Sequence, residues 1–162
     1  PFYFKSYDME DGLSNNHVTC CVQDDYGFMW FGTRDGLNRF DSKKFYTFKS
    51  YSSEKGSLMS SYILDLAKSP TGQIWVSTNL GLQKYDYQTD SFTLIDFTKG
   101  INCYSLQFDQ QGNLWMILNG YSLVKYNESQ GMHLNYMYKG SDPITSFYIN
   151  SSRPNLGNNS EW

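Results

Sequence analysis

Apolar and polar residues alternate along this chain in short runs, and Gly or a cluster of Ser, Asn and Asp breaks each run before it reaches helical length. No window sustains an apolar period of 3.6 residues, so the pattern argues against helices. Short alternating runs rich in Val, Ile, Phe, Tyr and Trp, bounded by Gly, predict β-strands joined by tight turns.

The runs recur. Residues 24–41 are DDYGFMWFGTRDGLNRFD, residues 69–86 are SPTGQIWVSTNLGLQKYD, and residues 109–127 are DQQGNLWMILNGYSLVKYN. Gly27, Gly72 and Gly112 each stand three residues before a tryptophan, and Trp30, Trp75, Trp115 and Trp162 are spaced 45, 40 and 47 residues apart. Thr33 matches Thr78, Gly36 matches Gly81, and Leu37 matches Leu82, while Asp41, Asp86 and Asn127 close the three copies. The third copy carries one extra residue in its Asn119–Gly120–Tyr121 turn. A further strand precedes the turn of each copy, at Val18–Asp24, Ile63–Ser69 and Cys103–Asp109, and another follows, clearest at Phe45–Tyr51.

Each unit therefore holds four strands, A to D in chain order. D-x-x-G makes the A–B turn and T-x-x-G the B–C turn, with Gly supplying the positive φ. Four strands and one Trp in a unit of about 40 to 50 residues are the mark of a β-propeller blade. The expected fold is all-β: a partial β-propeller of about three four-stranded antiparallel blades, at 14–51, 60–97 and 100–138, with orphan strands at both ends. FYFKSY at 2–7 repeats FYTFKSY at 45–51 and is expected to be a D-type strand. The segment 143–162 is expected to start a fourth blade, with strand A at Ile144–Asn150, an insertion, and Trp162 as the fourth repeat Trp. Propellers close with about 4 to 8 blades, so this count predicts a segment of a longer protein, whose isolated copies associate through open blade faces.

Composition sharpens this picture. Four Trp, 14 Tyr and 11 Phe suit a strand-rich aromatic core, and a net charge of −3 without a basic patch argues against a nucleic-acid partner. No apolar run approaches the ~20 residues of a membrane span. Cys20 and Cys21 point to opposite faces of one strand, and the odd count lacks C-x-x-C spacing, so the three cysteines are expected to be buried thiols. His17 and His133 have no partner at ligand spacing, and no nucleophile-elbow, phosphate-loop or H-E-x-x-H motif occurs. Neither catalytic residues, nor a metal, nor a cofactor is expected.

Residues that every blade repeats belong to packing. That applies to the tryptophans, and to Arg39, Lys84 and Lys125, which are expected to lay their stems down and flank a strand-end carboxylate or a turn carbonyl. Binding residues are better sought among non-repeated positions on the B–C turns and D–A connections, which emerge at one end of a propeller. These are Arg34, Asp35, Asn79, Asn119 and Tyr121, with Gly120 and the loop 52–60. Paired charges beside amide-bearing turns can hydrogen-bond sugar hydroxyls, although turn chemistry alone also favours such residues.

The stretch from Asp8 to Phe48, DMEDGLSNNHVTCCVQDDYGFMWFGTRDGLNRFDSKKFYTF, resembles the opening blade of the two-component regulator propeller family. The later copies keep the Gly, Trp and Tyr–Asp skeleton more loosely, and the third lacks the Gly-Thr of strand B. The resemblance implies a periplasmic sensor half of a hybrid histidine kinase and response regulator, followed by a membrane span. It also implies an oligosaccharide ligand released from a complex glycan, and a homodimer whose packing carries the signal. A propeller enzyme such as a lyase, or a protein-interaction scaffold, is the alternative.

Overall fold

The computed structural model describes residues 3–51, 54–137, 142–150 and 153–156. Their strands fall into three four-stranded antiparallel sheets and one hairpin. The first blade is β1 (Val18–Gln23), β2 (Met29–Thr33), β3 (Gly36–Phe40) and β4 (Phe45–Phe48). The second is β5 (Ile63–Lys68), β6 (Ile74–Thr78), β7 (Gly81–Asp86) and β8 (Ser91–Leu94). The third is β9 (Cys103–Phe108), β10 (Leu114–Leu118), β11 (Ser122–Asn127) and β12 (Met132–Met137). A final pair, β13 (Phe147–Asn150) and β14 (Arg153–Leu156), begins a fourth sheet. Each sheet is a meander of sequential neighbours, and β1 packs on β5 and β5 on β9, so the first strands face one another along the inner edge. This is the partial propeller that the repeats predict.

The turns hold by local chemistry. Asp24 Oδ1 accepts the backbone N–H of Tyr26 at 3.0 Å and of Phe28 at 2.9 Å, closing the first A–B turn around Gly27 at φ 88°. At the other end, Thr33 Oγ1 donates to the Gly36 carbonyl at 2.9 Å and accepts from Asp35 N at 3.1 Å. Thr78 makes the same pair of bonds with Gly81 and Leu80.

The tryptophans sit between blades as much as within them. Trp30 is buried in one cluster with Ile63, Leu66, Ile74 and Tyr85 of the second blade. Trp75 is buried with Cys103, Leu106, Leu114 and Tyr126 of the third, and Trp115 with Ile144 and Phe147 of the fourth. Each large apolar side chain so buried contributes about 1.5–3 kcal/mol. Blade contact also explains a graded position on strand B. A Cβ on Gly32 would stand 2.5 Å from Cys20 Sγ and 2.6 Å from Ile63 Cγ2, so the backbones come close there. At the matching place Ser77 donates its hydroxyl to the Cys103 carbonyl, and Ile117 packs on Ile144 and Phe147.

Several expectations change. Residues 3–8 form no strand, and Tyr3 and Phe4 are 90% and 97% exposed, with no strand among the described residues paired to them. Tyr7 instead packs its ring on Phe40 and Phe45. The fourth sheet is described as the pair β13–β14, in which Asn150 pairs with Arg153; the insertion and Trp162 as fourth repeat Trp fall on residues outside those described. Cys103 is buried and Cys20 half-buried, but Cys21 is exposed. The matching Leu66 and Leu106 are each covered by the blade before them, and the first blade has no such cover among the described residues. Burial pushes the Cys20 and Cys103 thiols up to about 12, which leaves them unreactive.

Candidate functional site

The five residues singled out on the B–C turns all lie at one end of the blades, one turn per blade. Arg34 and Asp35 are exposed on the first turn. The Arg34 backbone N–H donates to the His17 carbonyl at 3.3 Å, and its guanidinium has no hydrogen bond or ion pair among the described residues. Asp35 is already engaged, by Lys49 Nζ at 2.7 Å, a partner that nothing in the repeat frame singled out. Asn79 is half-buried, and its side-chain oxygen is buried with no hydrogen-bond partner among the described residues.

On the third turn Leu118 replaces the bridging Thr, and the extra residue sets Asn119 at φ 49° and Gly120 at φ 79°. Asn119 is spent on structure: its N–H donates to the Asn102 carbonyl at 2.9 Å, and its Oδ1 accepts from Asn102 N at 3.1 Å. Tyr121 is 53% exposed. No hydrogen bond or ion pair among the described residues joins any of the five to another, so they are brought to one face but not to one cluster. Of the connection 52–60, residues 52 and 53 lie outside the described residues, and the rest is held to the second blade by Gln83, which accepts from Met59 N at 2.7 Å and donates to the Ser57 carbonyl at 3.1 Å.

At the opposite end the repeated positions form a graded series. The repeated cation lies across from the repeated Trp in the strand B–C register: Arg39 opposite Trp30, Lys84 opposite Trp75 and Lys125 opposite Trp115. Each rests over that ring, at 5.6, 5.7 and 5.3 Å from the centroid. In the first two blades the charge then reaches the next blade. Arg39 bonds the Tyr85 hydroxyl at 2.7 Å and Asp90 at 3.2 Å, and Lys84 pairs with Glu128. Lys125 turns back to Asp109 of its own blade at 3.8 Å. Arg39 and Lys84 are therefore clasps between blades, whereas Lys125 flanks a strand-end carboxylate of its own blade, as expected of the repeated cation.

The indoles follow the same frame. Trp30 Nε1 donates to Asp24 Oδ2 at 2.7 Å and Trp115 Nε1 to Asp109 Oδ2 at 2.9 Å. Asp109 is held below the ordinary carboxylate range despite burial, because Trp115, the Asn113 side chain and backbone, and Lys125 all favour its charged form. In the second blade Ser69 stands in this place, and Trp75 Nε1 is buried without a hydrogen-bond partner among the described residues.

Neither histidine is paired with a carboxylate among the described residues; His133 stacks on Phe97 with centroids 4.2 Å apart. Among the same residues, no three His, Cys, Asp or Glu side chains converge as a metal site would require. No helix among them is long and apolar enough to cross a membrane.

Comparison with known proteins fits these features. A family model described as two component regulator propeller matches residues 12–35, which span the start of the first blade through its B–C turn. Histidine kinase P4 of Formosa agariphila is 52% identical over 50 residues, covering 31% of this chain and 3% of that protein. The extracellular domain of the hybrid two component system BT3049 from B. thetaiotaomicron is 26% identical, with a TM-score of 0.79, over 91% of this chain and 23% of that one. That of BT4673 from the same organism has a TM-score of 0.69 at 23% identity, over 83% of this chain and 18% of that one, and shows the fold alone. The chain thus spans less than a quarter of each of these two solved domains. Its first blade matches the two-component regulator propeller model, and its blade architecture is similar to that of the extracellular domains of hybrid two-component systems.

Proposed function

We propose that this segment serves in the periplasm as part of the sensor of a hybrid histidine kinase, and that its B–C turn face helps to recognise an oligosaccharide derived from a complex glycan. The observation that carries this reading is the state of the turn face. Arg34 offers a guanidinium without a partner among the described residues, Tyr121 an exposed ring, and Asn79 a buried oxygen lacking a donor. Such groups on turns fixed by Thr33 and Thr78 suit hydroxyl-rich ligands, because guanidinium and amide groups bond hydroxyls while a tyrosine ring covers the C–H face of a sugar. Binding would change the packing of a homodimer, and the change would pass through a membrane span to the kinase.

Calorimetry of the complete extracytoplasmic region against an oligosaccharide panel tests this. A glycan should bind, and Arg34→Ala or Tyr121→Ala should weaken it about tenfold, some 1.4 kcal/mol. Binding of no glycan, or affinity unmoved by both substitutions, would overturn the reading.

The first blade adds a second surface. Val18, Met29, Phe31, Phe40 and Phe45 line an apolar hollow of about 430 Å³. Val18 is 43% exposed, whereas the matching Ile63 and Cys103 are fully buried under a preceding blade. In a longer chain this hollow is the seat of another blade; in the isolated segment it is where copies associate.

A further inference from the structure

Adjacent blades in this chain meet at two clefts built from the same repeat positions, yet only one of them is filled. Between the first and second blades the cleft is occupied by Asp24 and Tyr87, with the exposed Tyr26 ring lying over Tyr87 at its mouth. The Tyr87 hydroxyl donates to Asp24 Oδ2 at 3.1 Å, the Tyr26 and Tyr87 rings stand 4.9 Å apart, and Trp30 Nε1 finds its acceptor. Between the second and third blades the same three positions hold Ser69, Thr71 and Glu128. A cavity of about 250 Å³ opens there, lined by Ser69, Thr71, Trp75, Phe108, Tyr126 and Glu128. Trp75 is 1% exposed, and its Nε1 has no hydrogen-bond partner among the described residues. A buried donor of that kind calls for an occupant.

The lining sets the chemistry of that occupant. Lys84 lies over the Trp75 ring and is paired with Glu128, so neither an anion nor a cation finds a free counter-charge. Hydroxyl and carboxylate oxygens form one side, and the Ser69 and Thr71 hydroxyls, bonded to each other at 2.9 Å, can rotate to suit a ligand. Trp75, Phe108 and Tyr126 form an aromatic wall on the other. The cavity far exceeds the ~30 Å³ share of one water and falls just short of the ~300 Å³ of small-molecule pockets.

We propose that this cleft binds a small uncharged polyhydroxy molecule, between glycerol and a monosaccharide in size. One of its oxygens takes the place that the Asp24 carboxylate holds a blade earlier, and its C–H groups lie against the aromatic wall. The cleft is at the A–B turn end of the blades, away from Arg34 and Tyr121, so it stands independently of the turn-face reading.

The test uses the ¹⁵N-labelled chain and its four indole N–H resonances, assigned by single Trp→Phe variants. Titration with glycerol and with glucose should move the Trp75 indole saturably and leave that of Trp30 in place, while acetate should move neither. Ser69→Asp, Thr71→Tyr and Glu128→Tyr together rebuild the filled cleft and should abolish the response. Thr71→Tyr alone, at an exposed turn position, should weaken it about tenfold, and an unmoved Trp30 indole reports that the blades remain folded. The proposal fails if neither polyol moves the Trp75 indole, if acetate moves it as strongly, or if Thr71→Tyr binds as tightly as the parent chain.

Discussion

The indole N–H of Trp30 meets the Asp24 carboxylate at 2.7 Å and ties the core of the first blade to its own A–B turn, while the same carboxylate oxygen accepts the Tyr87 hydroxyl of the blade that follows. Asp24 is 4% exposed and gathers four donors: Tyr26 N and Phe28 N on Oδ1, Trp30 Nε1 and the Tyr87 hydroxyl on Oδ2. Ser69 breaks the pattern one blade later, so the chain contains its own comparison between a satisfied and an unsatisfied indole.

Asp24→Asn keeps an oxygen for the two backbone donors but turns an amide N–H₂ toward Trp30 Nε1. Leaving that buried indole unpaired should cost about 1–3 kcal/mol. Urea unfolding would register this as a lower midpoint with an unchanged slope. A midpoint within error of the parent chain would mean that the bond is energetically idle.

Asp65 gives a pH dependence whose sign can be stated. It lies on the inner strand β5, where its oxygens accept from Leu66 N at 2.8 Å and, across the blade boundary, from Leu106 N at 2.7 Å. Burial raises its pKa above the ordinary 3.8, outweighing the backbone N–H groups of Leu106, Leu66 and Ser105 that pull it down. Folding therefore takes up a proton between pH 3.8 and the raised value, and stability from this group falls as pH rises through that window. Asp65→Asn removes the titration. Whatever offset the amide introduces, melting curves should show the gap between variant and parent moving in the variant's favour as pH rises from about 4 through the raised value, then levelling. A gap that stays constant over that range would refute the assignment.

Phe31 reports on the open face. Its counterparts Val76 and Met116 are fully buried by the preceding blade, whereas Phe31 is only half-buried and touches Phe45 edge-on with centroids 6.2 Å apart. The isolated segment should self-associate, and Phe31→Ser should shift it toward monomer by removing apolar contact area. Multi-angle light scattering decides this: a parent chain that is already a stable monomer would remove the association.

Much of the fold was open to sequence reasoning because its causes are local. Alternation at period two, Gly at turn positions that need positive φ, and a Trp per unit depend on residues within one hairpin, and the observed A strands begin where the alternation begins, at Val18, Ile63 and Cys103. The candidate residues were legible only as positions. Arg34, Asp35, Asn79, Asn119 and Tyr121 were placed on turns, but that Asn119 is consumed by Asn102 and Asp35 by Lys49 depends on where other loops arrive.

The sequence by itself determined the blade: its strands, its turns and the residues that recur in it. The tertiary structure decided what each blade does to the next. Whether an indole is satisfied, whether a repeated cation finds Asp90 or Glu128, and whether Cys21 is covered all turn on contacts between residues in different blades. Hydrophobic periodicity says which face of a strand seeks cover, but it carries no information about which blade provides it, or how well that blade fits.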